Sequence, residues 1–275
     1  MARRQRHLGI LGLSTPSPCC GRGLSLLSTL LEISACNAIT QARDALLEAL
    51  SPTRCAVCER PGALLCDRCR NEMLRIDPTT ACLRCGAPFG ELLCTECREL
   101  EMACDRCLAA AVFDGAPARL IRAYKDAGER RLAPVIAELM LDAAHAAENH
   151  ASERWQGILC GADAVTFVPA TSTAFQRRGF DHMEAVARAF SERSGVPLID
   201  ALAKCGRSDQ RALGRTGRRE QSHGVYRVVE KVTGRRLLLL DDVITTGATV
   251  SAAAGALKQA GAAYVDALAL ARVWG

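Results

Sequence analysis

The run "RRLLLLDDVITTGATV", residues 235–250, carries four consecutive leucines straight into two adjacent aspartates. An unbroken apolar run of this length predicts a strand buried on both faces, as in a parallel sheet covered by helices. Asp241 and Asp242 then stand at its carboxyl end, where open parallel sheets bind ligands. The residues that follow, Thr245, Thr246, Gly247, Ala248 and Thr249, supply backbone N–H groups, hydroxyls and a glycine at the head of a helix, the parts of an anion cradle. The loop contains neither G-x-x-x-x-G-K-[ST] nor G-x-G-x-x-G, so it is not a Walker loop or a dinucleotide fingerprint. A sugar phosphate fits instead: the loop takes the phosphate and the two carboxylates take neighbouring hydroxyls, as in a ribose 5-phosphate. The competing reading makes the aspartates mere caps of the turn, at the cost of burying two carboxylates without a ligand.

Outward from this run, strand-like and helical patterns alternate. Helical spacing is found in "PARLIRAYKDA", "LAPVIAELMLDAAHAAE", "HMEAVARAFSERSG" and "TVSAAAGALKQAG", and strand patterns in "DAVTFVPA", near "VPLI", and in "AYVDALALARV". This order predicts an α/β fold with a mostly parallel sheet flanked by helices. A polar, arginine-rich stretch at 206–223, with Arg207, Arg211, Arg215, Arg218 and Arg219, reads either as a phosphate-tracking patch or as a flap over the site.

Ten of the fifteen cysteines form five C-x-x-C pairs. They are Cys55/Cys58, Cys66/Cys69, Cys82/Cys85, Cys94/Cys97 and Cys104/Cys107. Paired knuckles of this spacing supply the four thiolates of tetrahedral zinc, so the segment reads as a small module held by structural metal rather than by a large apolar core. Sequence order pairs the first knuckle with the second and the third with the fourth, although a cross-braced arrangement satisfies the same count. The fifth pair is left over. Sites closed by four thiolates keep no open position, so no catalysis at zinc is expected. Clustered thiols also point to a reducing, cytoplasmic compartment.

The net charge of +5 and a 24% content of charged residues favour an anionic ligand without demanding one. Aromatic residues make up only 4% of the chain, which disfavours a stacking platform for single strands. The basic, patchily apolar start of the chain is broken by Pro16, Pro18, Gly21 and Gly23, and its apolar run is too short and too polar to span a bilayer. Residues 1–40 are expected to be a poorly ordered extension, 41–110 a helix (about 38–50) with a double zinc-ribbon module, and 111–275 the α/β domain.

"LLLLDDVITTGAT" resembles, over thirteen positions, the phosphoribosyl pyrophosphate (PRPP) motif of the type I phosphoribosyltransferases. The arrangement of the whole chain, a cysteine-rich zinc ribbon ahead of such a domain, resembles the ComF family from about residue 45 to 275. "LIRAYKDAGERRLA", "FVPATSTAFQRRGFDH" and "QRALGRTGRREQSHGVY" are similar to further segments of that family. Two positions depart: Asp181 and His182 follow Arg178-Gly179-Phe180 where the family often has N-Q, and Gln221 stands where an asparagine commonly precedes G-x-aromatic.

The resemblance implies PRPP with Mg²⁺, and transfer of the phosphoribosyl group to an acceptor as pyrophosphate leaves. Asp241, Asp242, Lys125 and Arg178 would act on the reacting groups, with Arg177 beside them, and Thr245–Thr249 would hold the 5-phosphate. His182 is a candidate base, with His223 and Gln210 more distant candidates. The resemblance also implies a link to competence and DNA uptake. The alternative function is a non-catalytic PRPP-binding scaffold whose ribbons contact a DNA-uptake protein or single-stranded DNA.

Overall fold

A computed structural model describes residues 52–90, 93–99, 101–204 and 225–274. The extension at 1–40, the helix at 38–50 and the stretch at 206–223, with Gln210, Gln221 and His223, lie outside the described residues. In chain order the elements are α1 (Asp67–Asn71), β1 (Arg106–Val112), α2 (Gly115–Lys125), α3 (Ala133–His150), α4 (Ser152–Trp155), β2 (Ala164–Phe167), α5 (Ser172–Arg178), α6 (His182–Ser194), β3 (Leu202–Lys204), β4 (Tyr226–Val228), β5 (Arg236–Ile244), α7 (Ala248–Gln259) and β6 (Tyr264–Arg272).

β1, β6, β5 and β2 lie side by side in that order, all parallel. β3 and β4 form a separate antiparallel pair. The expected α/β class, a parallel sheet flanked by helices, is therefore what the chain builds. "VPLI" contributes less than a strand: Leu198 makes one parallel bridge to Val165, with hydrogen bonds from Val165 N to Pro197 O and from Ile199 N to Val165 O. Pro197 has no N–H to carry the ladder further back.

The leucines of β5 show why the run had to be unbroken. Successive side chains of a strand point to opposite faces. Leu238 and Leu240 pack with Leu268, Leu270, Ile136 and Met140 of α3 and Val186 and Phe190 of α6. Leu237 and Leu239 pack on the other face with Val265 and with Val250, Ala253 and Leu257 of α7. Both faces are covered, and each leucine contributes about 1.5–3 kcal/mol by leaving water.

β1 is unexpected from the sequence, since its centre is three alanines, good helix formers. Burial between the sheet and its covering layer overrides that preference. The segment Leu74–Ile76 runs antiparallel along the outer edge of β1, with Val112 N donating to Leu74 O (2.8 Å) and Ile76 N to Ala110 O (3.1 Å). The cysteine-rich segment and the sheet also share one core, in which Cys55, Cys69, Met73 and Ile76 lie with Leu108 and Leu120.

Candidate functional site

Asp241 and Asp242 end the apolar part of β5, both nearly inaccessible to solvent. The pleat sends them to opposite faces, and their partners diverge accordingly. Asp242 receives a hydrogen bond from His182 Nε2 (2.9 Å) and forms an ion pair with Lys125 at the end of α2. Burial alone would raise its pKa, but the His182 hydrogen bond and the Lys125 charge outweigh burial and hold the carboxyl at about 2. Asp241 makes neither contact; burial and then the neighbouring Asp242 charge push its carboxyl well above the usual carboxylate range, outweighing the Lys125 charge that lowers it from a distance. One acid is thus held ionised and the other is driven toward its neutral form.

Arg178 closes the cationic side. Its Nε donates to the Lys125 carbonyl (3.0 Å), and its Nη1 lies 3.4 Å from His182 Nδ1. A guanidinium can only donate, so Nδ1 accepts and the Nε2–H donates to Asp242, the neutral tautomer of the ring. Tyr124 O–H donates to the His182 carbonyl (2.6 Å), and Asp181 caps α6 by accepting from Met183 N (2.9 Å) and Glu184 N (3.3 Å) while also accepting from Ala170 N (2.7 Å). Arg177, on the same short helix as Arg178, is exposed. A groove of about 510 Å³, lined by Arg130, Phe180, Asp181, Glu184 and Arg188 among others, borders this segment but is lined by neither aspartate.

The loop after the aspartates has the predicted form. Thr245, Thr246, Ala248 and Thr249 are exposed around a buried Gly247, which caps α7 in a left-handed conformation, φ +80°. That conformation favours glycine. It turns the chain into a helix of 12 residues whose first N–H groups face outward from the sheet's end. Ala248 N already donates to Thr246 Oγ1 (3.4 Å).

The cysteines form two clusters, Cys55/Cys58/Cys66/Cys69 and Cys82/Cys85/Cys94/Cys97, each with its sulfurs within 4.8 Å of one another. The pairing by sequence order is the one the fold adopts. The chemistry of the donors fits zinc. Zn–S bonds of about 2.3 Å in a tetrahedron place sulfurs about 3.8 Å apart, and the spacing is 3.6 Å for Cys58–Cys66 and 3.7 Å for Cys85–Cys94. In both clusters a knuckle N–H points at a sulfur, Cys66 N to Cys55 Sγ (3.5 Å) and Cys94 N to Cys82 Sγ (3.2 Å). Cys104 and Cys107 stand apart from both clusters, with their sulfurs 3.4 Å from each other in the core beside α7.

Two further residues at this end were not legible in the sequence. Arg272, at the end of β6, hydrogen bonds to the carbonyls of Ile244 and Thr245, and Met102 packs against Gly247. Neither lies near a motif. Among the described residues no helix is long and apolar enough to cross a membrane.

No family model matches the chain. Curated relatives do: it is 27% identical over 235 residues to the DNA utilization protein YhgH of Escherichia coli (strain K12), covering 80% of this chain and 97% of that one. It is also 25% identical over 220 residues to the competence protein ComFC of Streptococcus pneumoniae (strain ATCC BAA-255 / R6), covering 73% and 91%. The chain is a homologue of these proteins. The ComF resemblance read from the sequence is borne out by the second of these names together with the two four-cysteine clusters. Among solved structures it is similar to the glutamine PRPP amidotransferase of B. subtilis complexed with ADP and GMP, with 26% identity, a TM-score of 0.30 and coverage of 40% of this chain and 24% of that one. It is also similar to the hypoxanthine phosphoribosyltransferase of Trypanosoma cruzi, with 12% identity, a TM-score of 0.28 and coverage of 52% and 64%. At these TM-scores the likeness is partial, and the fold described above stands on the chain's own sheet.

Proposed function

We propose that the chain binds PRPP, or a related ribose 5-phosphate, at the carboxyl end of β5 and transfers the phosphoribosyl group to an acceptor nucleophile. The observation that carries this reading is the juxtaposition of a buried, ionised Asp242, held by Lys125 and His182, with the Gly247-led N-terminus of α7. Thr245, Thr246, Gly247, Ala248 and Thr249 would take the 5-phosphate through backbone N–H groups and hydroxyls. Asp241 and Asp242 would face the ribose, where a charge fixed in a dry setting stabilises the cation that develops at the anomeric carbon.

In the transfer, the electron pair of the acceptor forms a bond to the anomeric carbon. The bond from that carbon to the pyrophosphate oxygen breaks, and pyrophosphate leaves with its electrons. Lys125 and Arg178 would be the cations that meet the leaving charge. His182 has both ring nitrogens engaged, so its part is to position Asp242 rather than to take the acceptor's proton. Asp242 is likewise engaged by two partners, which suits Mg²⁺ arriving on the pyrophosphate oxygens better than Mg²⁺ held by protein carboxylates. When bound there, Mg²⁺ supplies positive charge to the leaving group. The two four-cysteine clusters would hold structural zinc. The relatives are named for DNA utilization and for competence, and the partner that the ComF resemblance implies is a DNA-uptake protein.

The test is calorimetric titration of the zinc-loaded chain with PRPP and Mg²⁺, beside an Asp241→Asn, Asp242→Asn double variant checked for folding. Saturable binding that the variant loses, followed by pyrophosphate release with a nitrogenous acceptor, is the expected result. Binding without pyrophosphate release by any acceptor would leave a scaffold. Absence of binding by the folded wild type would remove the PRPP reading.

A further inference from the structure

The second four-cysteine cluster and the loop at 245–249 share a buried arginine. Arg272, only 5% exposed, donates from Nε to the carbonyl of Cys85 (3.1 Å) and from Nη1 to the carbonyls of Thr245 (2.5 Å), Ile244 (3.4 Å) and Val273. Its Nη2 lies 3.9 Å from Glu96, which sits between the ligands Cys94 and Cys97. A single guanidinium therefore joins the backbone of a metal knuckle to the first residue of the loop.

A second tether runs parallel to it. Met102 packs against both the second cluster and the core under α7. Its Cε and Sδ lie 2.8 and 2.9 Å from the point a Cβ on Gly247 would occupy. The next residue, Ala103, donates its N–H to Ser251 Oγ (3.0 Å) in the first turn of α7. The contacts of the first cluster run elsewhere, to the helices: Arg119 Nη1 of α2 donates to Val57 O (3.2 Å), and Arg70 pairs with Glu138 of α3 (2.9 Å).

We propose that Arg272 and Met102 are positioning residues through which metal at Cys82, Cys85, Cys94 and Cys97 sets the shape of the loop 245–249, a control that the first cluster does not exert. The inference rests on reading that loop as the phosphate site. A metal bound to Cys85 fixes the turn that aims the Cys85 carbonyl at Arg272. A buried guanidinium must keep its acceptors, so losing that turn forces it to rearrange against Thr245 and Ile244. The peptide planes whose carbonyls Arg272 holds are those that lead into the loop's N–H groups. Because such coupling is reciprocal, an anion in the loop tightens metal at the second cluster by the same factor that the metal tightens the anion.

The experiment is amide hydrogen exchange of the peptide covering residues 244–252 in the full zinc-loaded chain. Cys94→Ser should speed exchange there roughly fivefold or more, the lower range of such couplings, while Cys58→Ser should leave it nearly unchanged. Arg272→Lys keeps the buried charge, but a compact ammonium does not reproduce the rigid fork that reaches the Cys85 and Thr245 carbonyls from two separate nitrogens. With both metals still bound by direct metal analysis, it should exchange as fast as Cys94→Ser. If Cys94→Ser fails to fold, Met102→Ala reads the second tether with the cluster intact and should shift exchange in the same direction. Equal exchange in wild type, Arg272→Lys and Met102→Ala, or equal acceleration by Cys58→Ser, overturns the proposal. Inorganic phosphate is the second probe, expected to slow metal release from the second cluster. If phosphate fails to bind while the exchange differences persist, the coupling stands and the phosphate-site reading falls.

Discussion

The two faces of the central sheet reach the same edge with different equipment. On the α3/α6 face, Asp242 is held ionised by an ion pair with Lys125 and a hydrogen bond from His182, and the first four-cysteine cluster packs into the same core. On the α7 face, Asp241 makes neither of these contacts and is pushed toward its neutral form, the loop 245–249 turns into the helix, and Met102 leads to the second cluster. The contrast separates two tasks between adjacent residues of one strand. One face stores a fixed negative charge, and the other shapes an anion cradle around Gly247.

The largest expected effect comes from the two four-cysteine clusters, one associated with each face. Structural zinc contributes apparent folding free energy on the order of 10 kcal/mol per site, so stripping the chain with a strong chelator should abolish the cooperative unfolding of residues 53–99 as followed by amide hydrogen exchange across a thermal scan. Recovery on adding zinc alone would confirm the cause, and an unchanged transition would show that the shared core suffices.

The aspartates sharpen the comparison next. Asp242→Asn breaks a buried pair and should cost about 3–5 kcal/mol, whereas Asp241→Asn removes a charge the fold disfavours, keeps the acceptor for Asp242 N (2.9 Å), and should be neutral or stabilising at pH 7. Denaturant midpoints read both signs, and equal losses would erase the distinction between the faces. The pH dependence follows the same signs. Asp242 has a folded pKa lowered from 3.8 to about 2, so its stabilisation is complete above the unfolded value and is lost as pH falls from 3.8 toward 2. Asp241 has a raised folded pKa, so its penalty at neutral pH is relieved as pH falls through that value. Unfolding of Asp242→Asn should therefore show a flatter acid limb between about pH 4 and pH 2 than wild type.

A smaller effect separates two glycines. Gly195 ends α6 at φ +75° with nothing within 4 Å of an added Cβ, so Gly195→Ala should cost about 1 kcal/mol from conformation alone. Gly247→Ala adds a collision with Met102 and should cost more, up to about 3 kcal/mol, with disturbed packing of the loop; equal costs in thermal unfolding would show that Met102 gives way freely. The smallest effect belongs to Arg70→Ala. Its ion pairs with Glu138 and Asp142 are partly exposed, and the loss should stay below about 1 kcal/mol.

Much of this was legible in the sequence because the deciding features are local. Leu237–Leu240, the two aspartates and the glycine loop are consecutive, and together they specify a buried strand, the carboxyl edge of a sheet and a helix start. The cysteine spacing likewise pointed to four-thiolate clusters, while the choice between chain-order and cross-braced pairing was left to the fold, which adopts chain order. β1 was missed because Ala109–Ala111 carry a helical preference that only burial beside β6 overrides. Lys125 and Arg178 were picked from resemblance, but His182 as the direct partner of Asp242 follows from the packing of α6 onto β5, which periodicity does not encode. Arg272 was invisible for a plainer reason: its partner Cys85 is 187 residues away.

The antiparallel bridge that Leu74–Ile76 makes alongside β1 has a consequence for solubility. β1 is the outer member of the sheet, and an uncovered strand of seven mostly buried residues would offer its N–H and C=O groups to any neighbouring chain. The cysteine-rich segment occupies that row from Ala110 to Val112. A truncated chain lacking it would carry an open, apolar flank able to template edge-to-edge association, and is therefore expected to aggregate more readily than the full chain.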